Sequence, residues 1–121
     1  TNMYGMFANC SSLTELDVNN FDTSEVTTMS RIFQGCSSLT ELDLSNFDTS
    51  KVTDVTRMFN GNVKLTSINL SKATFNAVTQ YSYMFQNCGL TNITVKDDDA
   101  KTFIDARLKE ASINLEATKI S

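Results

Sequence analysis

CSSLTELDVNNFDTSEVT, residues 10–27, returns almost letter for letter as CSSLTELDLSNFDTSKVT, residues 36–53. The two stretches differ only at Val18/Leu44, Asn19/Ser45 and Glu25/Lys51, at an offset of 26 residues. The same step runs outward in both directions. Phe7, Phe33, Phe59 and Phe85 keep it, each preceded by Met6, Ile32, Met58 or Met84. Cys10 and Cys36 are followed by Asn62 and then Cys88. Leu13, Leu39 and Leu65 hold the step, and Leu90 arrives one residue early because the fourth copy lacks a position after Cys88. A period of this length marks an array of units that must stack, because one unit cannot bury its own apolar face.

Each copy carries two shorter periods. Leu13, Leu16, Val18; Leu39, Leu42, Leu44; Leu65, Ile68, Leu70; and Leu90, Ile93, Val95 read L-x-x-L-x-L, whose last residues alternate as a short strand does. Val26, Met29, Ile32, Phe33, Cys36 and Leu39 recur at steps of three and four, the spacing of one helical face. Asp22-Thr23-Ser24 and Asp48-Thr49-Ser50 stand before that arm as N-caps, whose side-chain oxygens accept from the free amides of a first turn. The expected fold is therefore α/β: a right-handed leucine-rich-repeat solenoid of about four coils, with a parallel sheet on one side and short helices on the other. Equivalent residues of neighbouring coils would lie about 4.8 Å apart along the sheet.

After Val95 the composition changes. Asp97-Asp98-Asp99 can cap a helix in which Ala100, Phe103, Ile104, Leu108 and Ala111 form one apolar stripe, with Lys101/Asp105 and Asp105/Lys109 at ion-pair spacing outside. Ile113, Leu115 and Ala117 then alternate like a last strand. The expected organisation is a repeat array over residues 1–96 and a capping helix and strand over 97–121, the strand closing a sheet edge that would otherwise invite pairing. No such cap precedes the first copy. Thr1 aligns with Thr27, Thr53 and Thr79, so the expectation is an array truncated at its amino end, whose Met3, Met6 and Phe7 are open to end-to-end self-association.

Composition removes whole classes of chemistry. The 121 residues contain no histidine, tryptophan or proline, and 14 acidic against 10 basic side chains leave a net charge of -4. Without histidine there is no Ser-His-Asp or Cys-His catalytic set and no His-ligated metal. An acidic chain without a basic stripe is not expected to bind nucleic acid. No run approaches the roughly 18 apolar residues of a membrane span, so this segment is not expected to insert. Cofactors are not expected either.

With these motifs in view, the chain resembles the BspA-like leucine-rich repeat family, surface-protein repeats also described as a bacterial and mycoplasmal domain of unknown function. The matching phrases are MFANCSSLTELDVNNFDTSEVTTMS from Met6 and IFQGCSSLTELDLSNFDTSKVTDVTRMF from Ile32, with a weaker copy from Met58 and a partial one from Met84. Asn62 for cysteine, Ala73 for the phenylalanine of Phe21 and Phe47, and the missing residue after Cys88 depart from the pattern, and are expected to weaken the register of the third turn. The resemblance implies a non-catalytic protein, extracellular or at the cell surface, that adheres to host or neighbouring-cell proteins.

Glu15, Asp17, Glu41 and Asp43 flank the inward Leu16 and Leu42, so they should form a two-by-two block of carboxylates on the outer face of the sheet. Like charges facing each other on adjacent strands cost up to about 1 kcal/mol per pair, which a divalent cation such as calcium, a basic partner or protonation would relieve. The same columns continue as Ser67, Asn69, Asn92 and Thr94. Those eight residues are the candidate binding face; the plainer reading is a solvated acidic surface that keeps a repeat protein soluble. The cysteines read as a ladder of small buried thiols, with only Cys10 and Cys36 near enough for a disulfide. The threonine column Thr14, Thr40, Thr66 and Thr91 could hydrogen-bond sugars or simply be a good strand surface. Two functions stand against each other: an interaction module binding an unidentified protein through the sheet face, and a structural spacer in a surface or phage-tail protein.

Overall fold

The strand arms pair in chain order. In the computed structural model, which describes residues 2–18 and 21–120, β1 (Glu41–Asp43), β2 (Ser67–Leu70), β3 (Asn92–Val95) and β4 (Thr118–Lys119) form one sheet in the order β1-β2-β3-β4. Every neighbouring pair is parallel. Leu42 stands opposite Ile68, Ile68 opposite Ile93, and Val95 opposite Lys119. The first offset is the full repeat and the second is one shorter, so the position missing after Cys88 is absorbed before β3. Gly89 makes the shortcut possible: a Cβ there would sit 2.9 Å from the carbonyl oxygen of Val63. Thr1, aligned with Thr27 in the sequence, lies outside the described residues.

The opposite arm corrects the expectation of short helices. Among the described residues the α-helix is α1 (Asp98–Glu110), and the repeat arms are chains of tight turns. The amides of Met29, Arg31, Phe33 and Gly35 donate to the carbonyls of Asp54, Thr56, Met58 and Asn60 in the next copy, at 2.8 to 3.1 Å. Met3, Gly5, Phe7 and Asn9 do the same to Thr28, Ser30, Ile32 and Gln34, as do Val55, Arg57, Phe59 and Gly61 to Gln80, Ser82, Met84 and Gln86. The amides between them bond three residues back, Ile32 to Met29, Gln34 to Arg31 and Cys36 to Phe33. An α-helix would consume these donors internally, whereas alternating turns leave every second amide for the neighbouring copy. Left-handed backbone at Arg31, Arg57 and Tyr83 (φ 59°, 55° and 58°) and at Gly35 and Gly61 sets the alternation.

The Asp-Thr-Ser triplets cap no helix, and their real work is different. Asp22 Oδ1 accepts from the Ser24 amide at 3.0 Å and its hydroxyl at 2.6 Å, and Asp48 holds Ser50 in the same way. Between them Thr23 and Thr49 are buried. The Thr23 hydroxyl donates to the Asp48 carbonyl at 3.1 Å and accepts from the Asp48 amide at 2.8 Å, and Thr49 repeats both bonds with Thr74. Ala73, in the phenylalanine column, does not loosen the third turn as expected: its amide still donates to Leu70, as Phe47 does to Leu44.

The core lies between the two arms. Phe7, Phe33, Phe59 and Phe85 stack along the array at centroid separations of 5.8, 5.9 and 5.4 Å with nearly parallel planes. Such pairs contribute about 0.5–1.5 kcal/mol each beyond their buried area. Leu39, Leu42, Leu44, Leu65, Ile68, Leu70, Ile93 and Val95 close the core from the sheet side. At the carboxy end, Asp97 accepts from the Ala100 amide as N-cap of α1, and Ala100, Ile104 and Leu108 turn inward as the periodicity predicts. Phe103 stacks on Phe75 at 4.6 Å. Lys101 pairs with Asp105 and also donates to the Ala117 carbonyl, while Asp105 accepts from the Ala117 amide. Those bonds deliver β4 to the sheet edge. The paired residues are Thr118 and Lys119, later than the Ile113–Ala117 alternation suggested.

Candidate functional site

Of the two-by-two carboxylate block, Glu15, Glu41 and Asp43 share one hollow, and two of them stand on a strand. β1 presents Glu41 and Asp43 outward around buried Leu42. The equivalent segment of the first copy, with Glu15 and Asp17, joins no strand among the described residues. Pairing continues where Glu41 faces Ser67 and Asp43 faces Asn69, and it stops where Glu15 would face Glu41 and Asp17 would face Asp43. Opposed like charges on neighbouring strands disfavour that rung. Among the described residues the end of the ladder coincides with this charge boundary.

On this face lies an open hollow lined by Thr14, Glu15, Leu16, Thr40, Glu41, Leu42, Asp43, Ser67 and Asn69. Glu15, Glu41 and Asp43 are exposed at it, and Leu16 is half-buried. Of the expected face, Asp17, Asn92 and Thr94 are not part of this lining. Asn92 is exposed on β3, and Thr94 is half-buried where it pairs with Thr118 of β4. Hydrogen bonds from the hydroxyl and amide of Ser45 hold the Asp43 carboxyl below the usual carboxylate range. Asn69 makes the corresponding bond to the Ser71 amide at 3.0 Å, so this column also ties off the turn after the strand.

Such a hollow offers carboxylate acceptors beside hydroxyls, an amide and leucine, a setting for a cationic side chain with an apolar stem. It does not assemble a metal site. Among the described residues no group of three or more His, Cys, Asp or Glu is placed to hold an ion, so the calcium reading has no coordination geometry there. No helix among them is long and apolar enough to cross a membrane.

The threonine column is structural on its inner side. Thr66 and Thr91 donate both amide and hydroxyl to the carbonyls of Thr40 and Thr66 respectively. The cysteines are all free thiols. Cys36 Sγ donates to the Phe7 carbonyl at 3.1 Å and Cys88 Sγ to that of Phe59 at 2.9 Å. Burial raises both thiols, Cys88 to about 11.

One column escaped the sequence reading. Gly5, Arg31, Arg57 and Tyr83 occupy equivalent positions on the outer side of the turn arm, all with positive φ. The Arg57 guanidinium lies 4.9 Å from the centroid of the Tyr83 ring. The change from glycine to large cationic and aromatic side chains at a single repeat position was the available signal.

A family model described as "Mycoplasma protein of unknown function, DUF285" matches residues 1–115. The chain belongs to that family of mycoplasmal proteins of unknown function. No curated protein and no solved structure gives a significant match.

Proposed function

We propose that the chain is a non-catalytic protein-interaction module: a right-handed leucine-rich-repeat solenoid of the BspA-like kind, secreted or displayed at a cell surface, that binds basic segments of partner proteins. The hollow between the first copy and β1 carries this reading. It gathers Glu15, Glu41 and Asp43 with Leu16, a combination that suits arginine or lysine on a neighbouring surface. The absence of histidine from the whole chain supports a binding role over a hydrolytic one.

Titration with a short arginine-rich peptide, followed by calorimetry at low and high salt, tests the proposal. Saturable binding at low salt that weakens in Glu15→Gln/Glu41→Gln supports it. Equal binding by wild type and variant would move the site elsewhere. No binding at either salt favours the spacer, in which the repeats only set a distance.

A further inference from the structure

The outer side of the turn arm carries two arginines, Arg31 and Arg57, that form no ion pair among the described residues. Arg31 and Arg57 stand one copy apart, their amides bonded to the Thr56 and Ser82 carbonyls, which places their backbones about 4.8 Å from each other. Among the described residues the ion-paired cations are Lys51, Lys101, Arg107 and Lys119. Arg57 leans on the exposed Tyr83 ring, and Arg31 and Arg57 are themselves half-buried, so the column is a ridge of two arginines and a tyrosine in successive copies. The first copy has Gly5 here, at φ 59°, the residue that takes this backbone without penalty. On the opposite arm, Glu15 and Glu41 are likewise in no ion pair among the described residues.

The geometry points to a homotypic contact in which the Arg31–Arg57 ridge of one molecule enters the Glu15–Glu41–Asp43 hollow of a second copy. This rests on the reading of the hollow as a binding face and names its partner. The two surfaces have matched chemistry: arginines of successive copies, with apolar stems, on one, and carboxylates beside Leu16 on the other. Each relieves the other's like-charge repulsion. A guanidinium forms two-point hydrogen bonds with a carboxylate, so the contact is directional as well as charged. Because ridge and hollow lie on the outer sides of different arms, each molecule offers one of each. The contact is heterologous and propagates into a file of molecules instead of closing as a two-fold dimer.

Sedimentation velocity over a concentration series tests this with wild type and two neutralised variants. Wild type is expected to grow in mass with concentration at about 50 mM salt and to return to monomer at about 500 mM, where screening shortens to a few ångströms. Arg31→Gln/Arg57→Gln retains the hollow and loses the ridge; Glu15→Gln/Glu41→Gln does the reverse. Each alone should remain monomeric, and an equimolar mixture should give a 1:1 dimer that grows no further, since only one productive contact remains. Circular dichroism melts of both variants confirm that they fold; if either does not, the salt dependence of wild type decides the matter. Wild type that is monomeric at both salts overturns the homotypic contact, and the peptide titration then stands as the separate test of the hollow. Association that persists at high salt or in both variants also overturns it, and locates the contact at the apolar amino end around exposed Tyr4 and Met6.

Discussion

The buried Asn62 side chain donates to the Phe33 carbonyl at 2.9 Å, the bond that Cys36 makes to Phe7 and Cys88 to Phe59 in the neighbouring copies. A thiol and a carboxamide thus do the same job in one column: each satisfies the phenylalanine carbonyl of the preceding copy. Asn62 also donates to Phe59 at 2.7 Å, but its Oδ1 is buried without a partner.

That orphan oxygen makes Asn62→Cys informative. A buried acceptor left unpaired costs about 1–3 kcal/mol, whereas a thiol keeps the bond to Phe33 and adds no second polar atom. Urea denaturation should find Asn62→Cys at least as stable as wild type. Asn62→Ala, which removes the side-chain donor to the Phe33 and Phe59 carbonyls and leaves Phe33 the longer bond from the Cys36 amide at 3.4 Å, should lose about 1–3 kcal/mol. A cysteine variant as unstable as the alanine one would contradict this account of the column.

Leu42 is 2% exposed at the centre of β1, and Thr40 is exposed two residues earlier. Leu42→Ala should cost about 2–5 kcal/mol and Thr40→Ala no more than about 0.5 kcal/mol, because the Thr40 carbonyl used by Thr66 is untouched. Equal effects in chemical denaturation would mean that the sheet face does not point as described.

Acid should weaken the turns held by Asp22, Asp43 and Asp48. Each carboxyl is lowered from its ordinary value of 3.8 by the hydrogen bonds of the serine two residues on. The unfolded state therefore binds the proton first, so the stabilisation is present above the ordinary carboxylate range and disappears as pH falls through the lowered folded values. In Asp43→Asn the amide oxygen can keep the bond to Ser45, as Asn69 does to Ser71. Thermal melts between pH 2 and pH 6 should show a shallower loss for this variant; the wild-type slope in Asp43→Asn would remove Asp43 from the explanation.

Cys88 should resist alkylation. With its thiol raised to about 11 by burial, only roughly one molecule in a thousand carries the reactive thiolate at pH 8. Iodoacetamide labelling followed by peptide mass analysis should leave Cys88 unmodified until denaturant is added. Rapid labelling of Cys88 in the native protein would show the fourth copy to be open.

Much of the architecture was local enough to read from the chain. The 26-residue step, the leucine triplets that became β1, β2 and β3, the missing position before Leu90 and the Asp97-capped helix all follow from side chains that repeat or alternate along the sequence. The turn arm was not legible in the same way. Steps of three and four suit an α-helix, but they also suit successive turns closed by bonds to the third residue back. The choice falls to amides such as those of Arg31 and Phe33, whose acceptors lie 25 residues away. The acidic face depended on a similar contest. Glu15, Asp17, Glu41 and Asp43 were visible as a block, yet only the assembled sheet showed that, among the described residues, the ladder begins at β1 and that Glu15, Glu41 and Asp43 line one hollow there. Side-chain pattern along the chain therefore determined what is buried and with what period. Tertiary structure decided the conformation of the second arm and the shape of the site, because both depend on hydrogen bonds and charge contacts between copies.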